Sequence, residues 1–340
     1  MATTSATDTR YLCRPLRIED AERCAEIGTA ISALAKVDEQ IQSRMVRTEW
    51  TAPNVDLRDA SIGILNDAGQ LLGFAVFFAT EEPPVRPWFD WGVDPNHDDY
   101  GAYAYLLAWA QERGRSVIPR CPADARVGLW SGANKGYQPN EDALAAAGFQ
   151  PRREWLEMRI DMEERPDPVE LPPGFILRPY RHEEDLPDLV NVVRDSFTDH
   201  YGHIEQSFER DLEIFRHWFS DDPAFDPDLV MLAVDQASGA VAGSVMPMTE
   251  YHRRPGVGYI DMVGVRKAYR RRGLASSMLT RSFIDYWDRG TKSVCLEVDG
   301  ASLTNAVALY EGVGMRARHT YVAYEKLLRD GVELAKVAAE

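Results

Sequence analysis

The sequence predicts a two-domain chain of α/β class, in which strands and helices alternate and one domain pattern occurs twice. Three observations predict it. From Tyr259 to Ala275 a β-branched apolar run turns abruptly into a basic, glycine-containing turn and then into a helical apolar pattern. The features of the first half of the chain return in the same order in the second half. Between them, residues 163–174 are too rich in proline and acid to pack as helix or central strand, and read as a linker.

Taken in order, the first copy opens with Arg14-Pro15-Leu16-Arg17 and the acids Glu19 and Asp20. The second opens with Arg178-Pro179-Tyr180-Arg181 and Glu183, Glu184 and Asp185. Each reads as a short strand followed by a helix whose first turn is favoured by acids, because carboxylates there meet the positive end of the helix dipole. A turn at Asp67-Ala68-Gly69 leads into Gln70–Val76, and one at Ala237-Ser238-Gly239 into Ala240–Val245, so both copies predict a hairpin. Trp91-Gly92-Val93 then matches Val263-Gly264-Val265, with a helix after each, and Leu144–Phe149 matches Tyr310–Met315. The offset drifts from 164 (Arg14 to Arg178) to 172 (Val93 to Val265), which small insertions explain. The predicted organisation is a first domain at 1–162, a linker at 163–174, a second domain at 175–329 and a frayed tail at 330–340.

Length and charge narrow the function. At 340 residues there is enough chain for two cores, and a net charge of −16 repels a polyanion, so general nucleic-acid binding is disfavoured. Cys13, Cys24, Cys121 and Cys295 show no C-x-x-C pairing, which argues against a zinc ribbon or a disulfide framework and makes a reduced, cytoplasmic compartment the expectation. No apolar run approaches the roughly 20 residues of a membrane span, so no membrane partner is expected.

Within this acidic chain, five cations fall among the seven residues Arg266–Arg272, ahead of Gly273 and Ala275. A strand feeding a small-residue turn into a helix leaves backbone N–H groups converging with the dipole behind them, which suits a phosphate or pyrophosphate. A solvated basic turn is the other reading of the same residues. In the strand before it, Asp261 stands among apolar neighbours, and a buried acid needs a partner or a task.

Val265, Arg270, Gly273 and Ala275 fit V-x-x-x-x-[RQ]-x-x-G-x-[GA], and Ala306 to Met315 fit A-x-x-L-Y-x-x-x-G-[FM]. On these residues the chain resembles the GNAT superfamily of N-acyltransferases, and on its repeat the tandem GNAT proteins of the mycothiol synthase type. The resemblance implies two GNAT folds, each a mixed, mostly antiparallel (α+β) sheet flanked by helices, with the fourth and fifth strands splayed to admit the pantetheine arm of acetyl-CoA. It implies an acetyl-CoA-dependent N-acetyltransferase acting on a primary amine of a small molecule by direct attack in a ternary complex, as a monomer or homodimer.

The same resemblance distributes roles. Tyr310 is the candidate general acid for the departing thiolate, and Asp261 the candidate base for the amine, with substrate anchoring as its alternative. Backbone groups of Met262, Val263, Gly264 and Val265 would meet the oxyanion and the pantetheine amides, Gly264 permitting a bulge that aims them inward. Arg270, Arg271, Arg272, Gly273, Leu274 and Ala275 would hold the pyrophosphate. The family's asparagine position is Leu303 here, with Asn305 two residues later as the candidate contact. Asp199, His200, Tyr201, Tyr259 and Glu297 are candidate acceptor contacts. A metal site at Asp199, His200 and His203 lacks a further ligand of suitable spacing, and none is expected.

The first copy is expected to be inert. It carries Asp98-Asp99-Tyr100-Gly101-Ala102-Tyr103 where the second has Arg270–Ala275, and Leu144 where the second has Tyr310. Two other functions compete with acetyl transfer: a non-catalytic acyl-CoA-binding or regulatory module, against which Tyr310 and Asp261 speak, and an aminoacyl-tRNA-using transferase, which would want a broad basic face.

Overall fold

A computed structural model of the chain describes residues 11–52, 55–97, 100–198, 200–251, 253–301 and 306–335. It has two compact units: the described residues up to Arg152 together with Ala323–Val332, and Arg153–Val322 together with the described residues from Glu333.

The first unit contains β1 (Leu12–Arg14), α1 (Ala21–Leu34), α2 (Ser43–Trp50), α3 (Leu57–Ala60), β2 (Ser61–Leu65), β3 (Leu71–Phe78), β4 (Trp88–Val93), α4 (Tyr100–Ser116), β5 (Val127–Asn134) and α5 (Gln138–Ala146). Strands β1 to β4 pair antiparallel in sequence order, and β4 meets β5 in parallel at Trp88 and Trp130.

The second unit repeats the plan. After β6 (Gln150–Asp161) come β7 (Phe175–Pro179), α6 (Leu186–Phe197), α7 (Phe208–Asp221), β8 (Met231–Asp235), β9 (Val241–Met248), β10 (Val257–Val265), α8 (Leu274–Asp288), β11 (Ser293–Asp299), α9 (Ala306–Gly312) and β12 (Arg316–Arg329). The strand order is β7-β8-β9-β10-β11-β6, antiparallel except for the parallel pair β10–β11. That is the mixed, mostly antiparallel sheet expected. Both predicted hairpins form, β2–β3 and β8–β9, and their turns place Gly69 and Gly239 at φ 78° and 73°, where only glycine sits without strain.

Local patterns explain the helices. On α8 the apolar stripe Leu274, Met278, Leu279 and Phe283 is buried against Ala233, Val245, Ile260 and Leu296 of the sheet, with Trp287 partly buried at its end. On the other face α6 buries Leu186, Leu189 and Val190 against Val230, Leu232 and Met246. Each such side chain contributes about 1.5–3 kcal/mol when removed from water. The repeated opening motif has one job in both copies. Arg14 grips Asp20 through two hydrogen bonds of 2.6 and 2.8 Å, and Arg178 grips Asp185 at the same two distances. The aspartates also accept the backbone N–H of Arg17 and Arg181, so each strand is clamped to the start of its helix. The guanidinium of Arg178 holds the Asp185 carboxyl well below the usual carboxylate range.

The last strand of each copy departs from the sequence boundaries. In the second unit β6 pairs with β11, from Trp155 opposite Asp299 to Asp161 opposite Ser293, although its residues belong to the first copy. The end of β12, from Ala323, lies in the first unit, although its residues belong to the second copy. Two buried glutamates at matching positions fix this arrangement. Glu157 is ion-paired with Arg254 in the second unit, and Glu325 with Arg126 and Arg152 in the first. A charge buried without such a partner costs several kcal/mol, so register and partner are specified together.

Residues 163–174 form neither helix nor strand. The tail differs from its expectation at its start: Val332 bridges Ala125, its N–H donating to Asp124, while residues 336–340 lie outside the described residues.

Candidate active site

Strands β10 and β11 are paired only from Val257–Ser293 to Tyr259–Cys295, and beyond that point they part. The gap is the floor of a cleft of about 920 Å3 within the second unit. The chain turns several elements toward it. Tyr259 to Val265 form one wall, Glu297 stands on the other, Leu309 and Tyr310 come from α9, and His200 and Tyr201 from the loop after α6. At one end lie Arg270, Arg271, Gly273, Leu274 and Ala275.

Asp261 reaches the cleft through a fault in the ladder. The register between β10 and β9 slips between Ile260 and Met262, so Asp261 is the extra residue of a β-bulge. The expectation placed the bulge at Gly264, which instead pairs regularly with Ser244. Glycine is needed there for packing: a Cβ would fall 2.9 Å from Ser196 Oγ and 3.0 Å from Ser196 Cβ, so α6 lies directly on the strand. A bulge re-aims one side chain and interrupts pairing locally, which suits a group that must leave the core face.

The carboxyl of Asp261 is reachable by water yet ringed by protein. That desolvation, reinforced by the negative charges of Asp222 and Glu297, lifts its pKa to about 6. At neutral pH it is mostly ionised and close to the value that makes an effective base. Tyr310 is 8 % exposed, packed in the core and lining the cleft at once. Burial pushes its phenol up to about 12, so it stays protonated and can donate. Tyr259 stacks on Tyr251 at 4.7 Å, and the Tyr251 hydroxyl donates to Glu297 at 2.7 Å. Burial raises the Tyr259 phenol well above its ordinary value, making it a neutral wall.

The turn before α8 has the backbone of an anion site. Arg271 and Gly273 are left-handed, at φ 60° and 87°, and Gly273 caps the helix. Residues of this hand turn successive N–H groups to one side, and the first turn of α8 adds N–H groups with no intrahelical acceptor. A Cβ on Gly273 would meet only Pro172, at 3.8 Å, so it is the backbone angle and not crowding that demands glycine.

The arginines divide their work. Arg271 lines the cleft. Arg270 lines it too, but donates to Val265 O at 3.1 Å and Ser196 O at 2.8 Å, tying the turn to the end of α6. Arg272 does not line the cleft: it lies over Phe175 and Tyr269 and donates to Ala268 O. Asp199 and Asn305 lie outside the described residues.

Sequence reading missed several contributors. Lys267 and Tyr269 belong to the basic turn and Ser196 lies just before the acceptor candidates Asp199, His200 and Tyr201, so their neighbourhood is legible although their roles are not. Arg153 and Trp155 on β6 gave no local signal, because their copy was assigned to the other domain. Among the described residues no cluster of three or more metal-ligating side chains occurs, and no helix is long and apolar enough to cross a membrane.

The residues present fit a long thioester donor with a pyrophosphate. The turn offers converging N–H groups, the parted strands offer an unpaired β10 edge for amides, and the buried Ser196 Oγ beside that edge has no hydrogen-bond partner among the described residues.

Known proteins resemble this chain in sequence and fold. Residues 186–315 match the model of the acetyltransferase (GNAT) family. A mycothiol acetyltransferase of Mycobacterium ulcerans (strain Agy99) is 30% identical over 256 residues, covering 68% of this chain and 76% of the relative. Another, of Mycolicibacterium paratuberculosis, is 28% identical over 342 residues, covering 94% and 98%. Among solved structures, a GCN5-related N-acetyltransferase of Sphaerobacter thermophilus superposes with a TM-score of 0.80 at 25% identity, over 97% of this chain and 99% of that one. A tandem GNAT protein of the clavulanic acid biosynthesis pathway shares the fold with a TM-score of 0.68 at 15% identity, over 93% and 98%. This chain belongs to the GNAT family of N-acetyltransferases.

Proposed function

We propose that the chain transfers an acetyl group from acetyl-CoA to the primary amine of a small molecule, by direct attack in a ternary complex, with the chemistry in the second unit. Enzymes of this family use acyl-CoA donors, whose thioester supplies the activated acyl group. The observation that carries the reading is the bulge that turns Asp261 out of the β10 ladder into the cleft Tyr310 also lines. One group there can take a proton at neutral pH and the other can give one. An N–C bond forms as the C–S bond breaks. Asp261 takes the proton the amine loses, and the Tyr310 hydroxyl supplies the one the departing sulfur gains. The N–H groups of Met262–Val265 face the reacting carbonyl and the amide arm. Arg271 and the start of α8 hold the pyrophosphate, with Arg270 keeping the turn in place. His200, Tyr201, Tyr259 and Glu297 surround the acceptor.

The curated relatives are named mycothiol acetyltransferases, so an acceptor of that kind belongs in any screen. The test is calorimetric titration of acetyl-CoA into the full chain, followed by an amine panel with release of CoA thiol as readout. Binding with turnover on a small amine supports the proposal. Binding without turnover on any amine, or turnover only with aminoacylated RNA, refutes it.

A further inference from the structure

The acceptor end of the cleft contains a cation whose hydrogen-bonding capacity the protein leaves unused. Arg153 lies on β6, two residues before Trp155, and both side chains line the cleft. Its side chain is only 12% exposed. A guanidinium has five N–H donors, and withdrawing it from water is costly unless they are engaged. Here the group is stacked 3.9 Å above the ring of Tyr201, which covers one face and accepts no N–H in its plane. The carboxylate of Asp299 stands 3.8 Å from Nε, within reach of Coulomb attraction but beyond a hydrogen bond. Nε is buried without a partner, and no hydrogen bond joins the Arg153 side chain to any of the described residues.

Such a group is held in place and left unsatisfied. Tyr201 and Asp299 fix its plane, and the hydrogen bonds remain for something in the cleft. The rest of the acceptor region has the opposite sign: Asp261 and Glu297 line it, and Asp222 acts on Asp261. An acceptor that carries only positive charge would meet the carboxylates well but leave the Arg153 N–H groups without an acceptor. One that carries an amine and an anion satisfies both.

We propose that the acceptor is an amino acid or a close derivative bearing a free carboxylate, whose amine faces Asp261 and whose carboxylate is bound by Arg153. This rests on the acetyl-transfer reading above and gives its acceptor a chemical class. The planar fork of arginine matches a carboxylate through two parallel hydrogen bonds, which lysine cannot reproduce. It also gives β6 a function beyond pairing: the last strand of the first copy carries the specificity residue of the second unit's cleft.

The experiment uses the full chain, saturating acetyl-CoA and matched acceptor pairs: lysine with cadaverine, ornithine with putrescine, histidine with histamine, phenylalanine with phenethylamine. In each pair the α-carboxylate is the difference. The carboxylate-bearing member of the accepted pair is expected to exceed its partner by about 10- to 100-fold in kcat/KM, the range for a charge-assisted hydrogen bond. Arg153→Gln should remove most of that advantage by raising KM for the carboxylate-bearing member, and Arg153→Lys should restore only part of it. Acetyl-CoA affinity, measured separately, should stay within about threefold, the variants still being folded. Equal or better turnover of the decarboxylated members overturns the inference, as does an Arg153→Gln loss of the same size for both members, or acetyl-CoA binding with no amino acid acetylated. Failure of acetyl-CoA to bind at all would instead overturn the acetyl-transfer reading on which the inference stands.

Discussion

The same parting of two parallel strands occurs in both units and is put to opposite uses. In the second unit β10 and β11 separate after Tyr259 and Cys295 and leave a cleft. In the first, β4 and β5 touch at Trp88 and Trp130, and aromatic rings occupy the corresponding region. Phe89, aligned with Asp261, is 0% exposed and packs on Trp91 at 6.4 Å and Phe149 at 5.7 Å. Tyr103, aligned with Ala275, meets Trp91 edge-on at 5.8 Å. Leu144, aligned with Tyr310, is wholly buried. The backbone plan therefore creates an opening, and side chains decide whether it is a site or a core. Filling it gains apolar burial, while keeping it open requires a bulge, a strained turn and a carboxylate away from its preferred solvation.

The comparison breaks most decisively at Tyr310. Tyr310→Phe keeps the ring and its packing but removes the proton, so acetyl-CoA affinity should hold while kcat falls by about 10²- to 10⁴-fold. Rapid-quench measurement of the chemical step decides it. An unchanged rate would mean that Tyr310 is a core residue like Leu144 and that the units differ elsewhere.

Asp261→Asn should cost somewhat less and depend on pH. With its pKa near 6, Asp261 becomes a base as pH rises through that value, so kcat/KM of the native chain should climb there. The variant should lose that limb and carry a deficit of about 10²-fold at pH 7 that narrows toward pH 9, where free amine and hydroxide take over. A deficit constant across pH makes Asp261 an anchor and not a base.

A smaller effect concerns stoichiometry. Isothermal titration should saturate at one acetyl-CoA per chain, and Arg271→Ala should weaken that site by about 10-fold through loss of one phosphate contact. A second site of similar affinity that survives the change would show that the ring-filled unit also binds donor.

Much of this was legible because it is local. The strand-to-turn-to-helix change at Val265–Ala275 is written in successive residues, as are both hairpins and the acid-rich helix start of each copy, although the grip of Arg14 on Asp20 and of Arg178 on Asp185 shows only in the structure. Two things were not. The bulge at Asp261 depends on how β10 registers against β9, and Gly264 drew attention because glycine is the residue that ordinarily marks such faults. The destinations of β6 and β12 depend on which strand edge each meets, and alternating sequences such as Trp155–Asp161 fit either edge equally well. Glu157 and Glu325 settle the matter through arginines about 97 and 199 residues away, respectively, in the pairs with Arg254 and Arg126. Arg153, carried on β6, was invisible for the same reason.

The smallest expected effect is on stability, and it tests what the open cleft costs the fold. Burial and the charges of Asp222 and Glu297 raise the Asp261 pKa from its ordinary 3.8 to about 6. Between those values the folded chain binds more protons at this position than the unfolded chain, so stability falls as pH rises through that window and stays lower above it. Asn carries no charge to desolvate. Asp261→Asn should therefore leave the melting temperature unchanged below about pH 4 and raise it above about pH 6.5, by about 1–3 °C once the water that reaches the carboxyl is allowed for. Phe89, in the matching place, bears no charge, so Phe89→Ala should lower the melting temperature of its own unit equally at every pH, by loss of packing alone. Thermal unfolding of both variants at pH 4, 5, 6, 7 and 8 separates the two behaviours. A pH-independent shift for Asp261→Asn would mean that its carboxyl is as well solvated as one on the surface, and the bulge would then expose a side chain without tuning it.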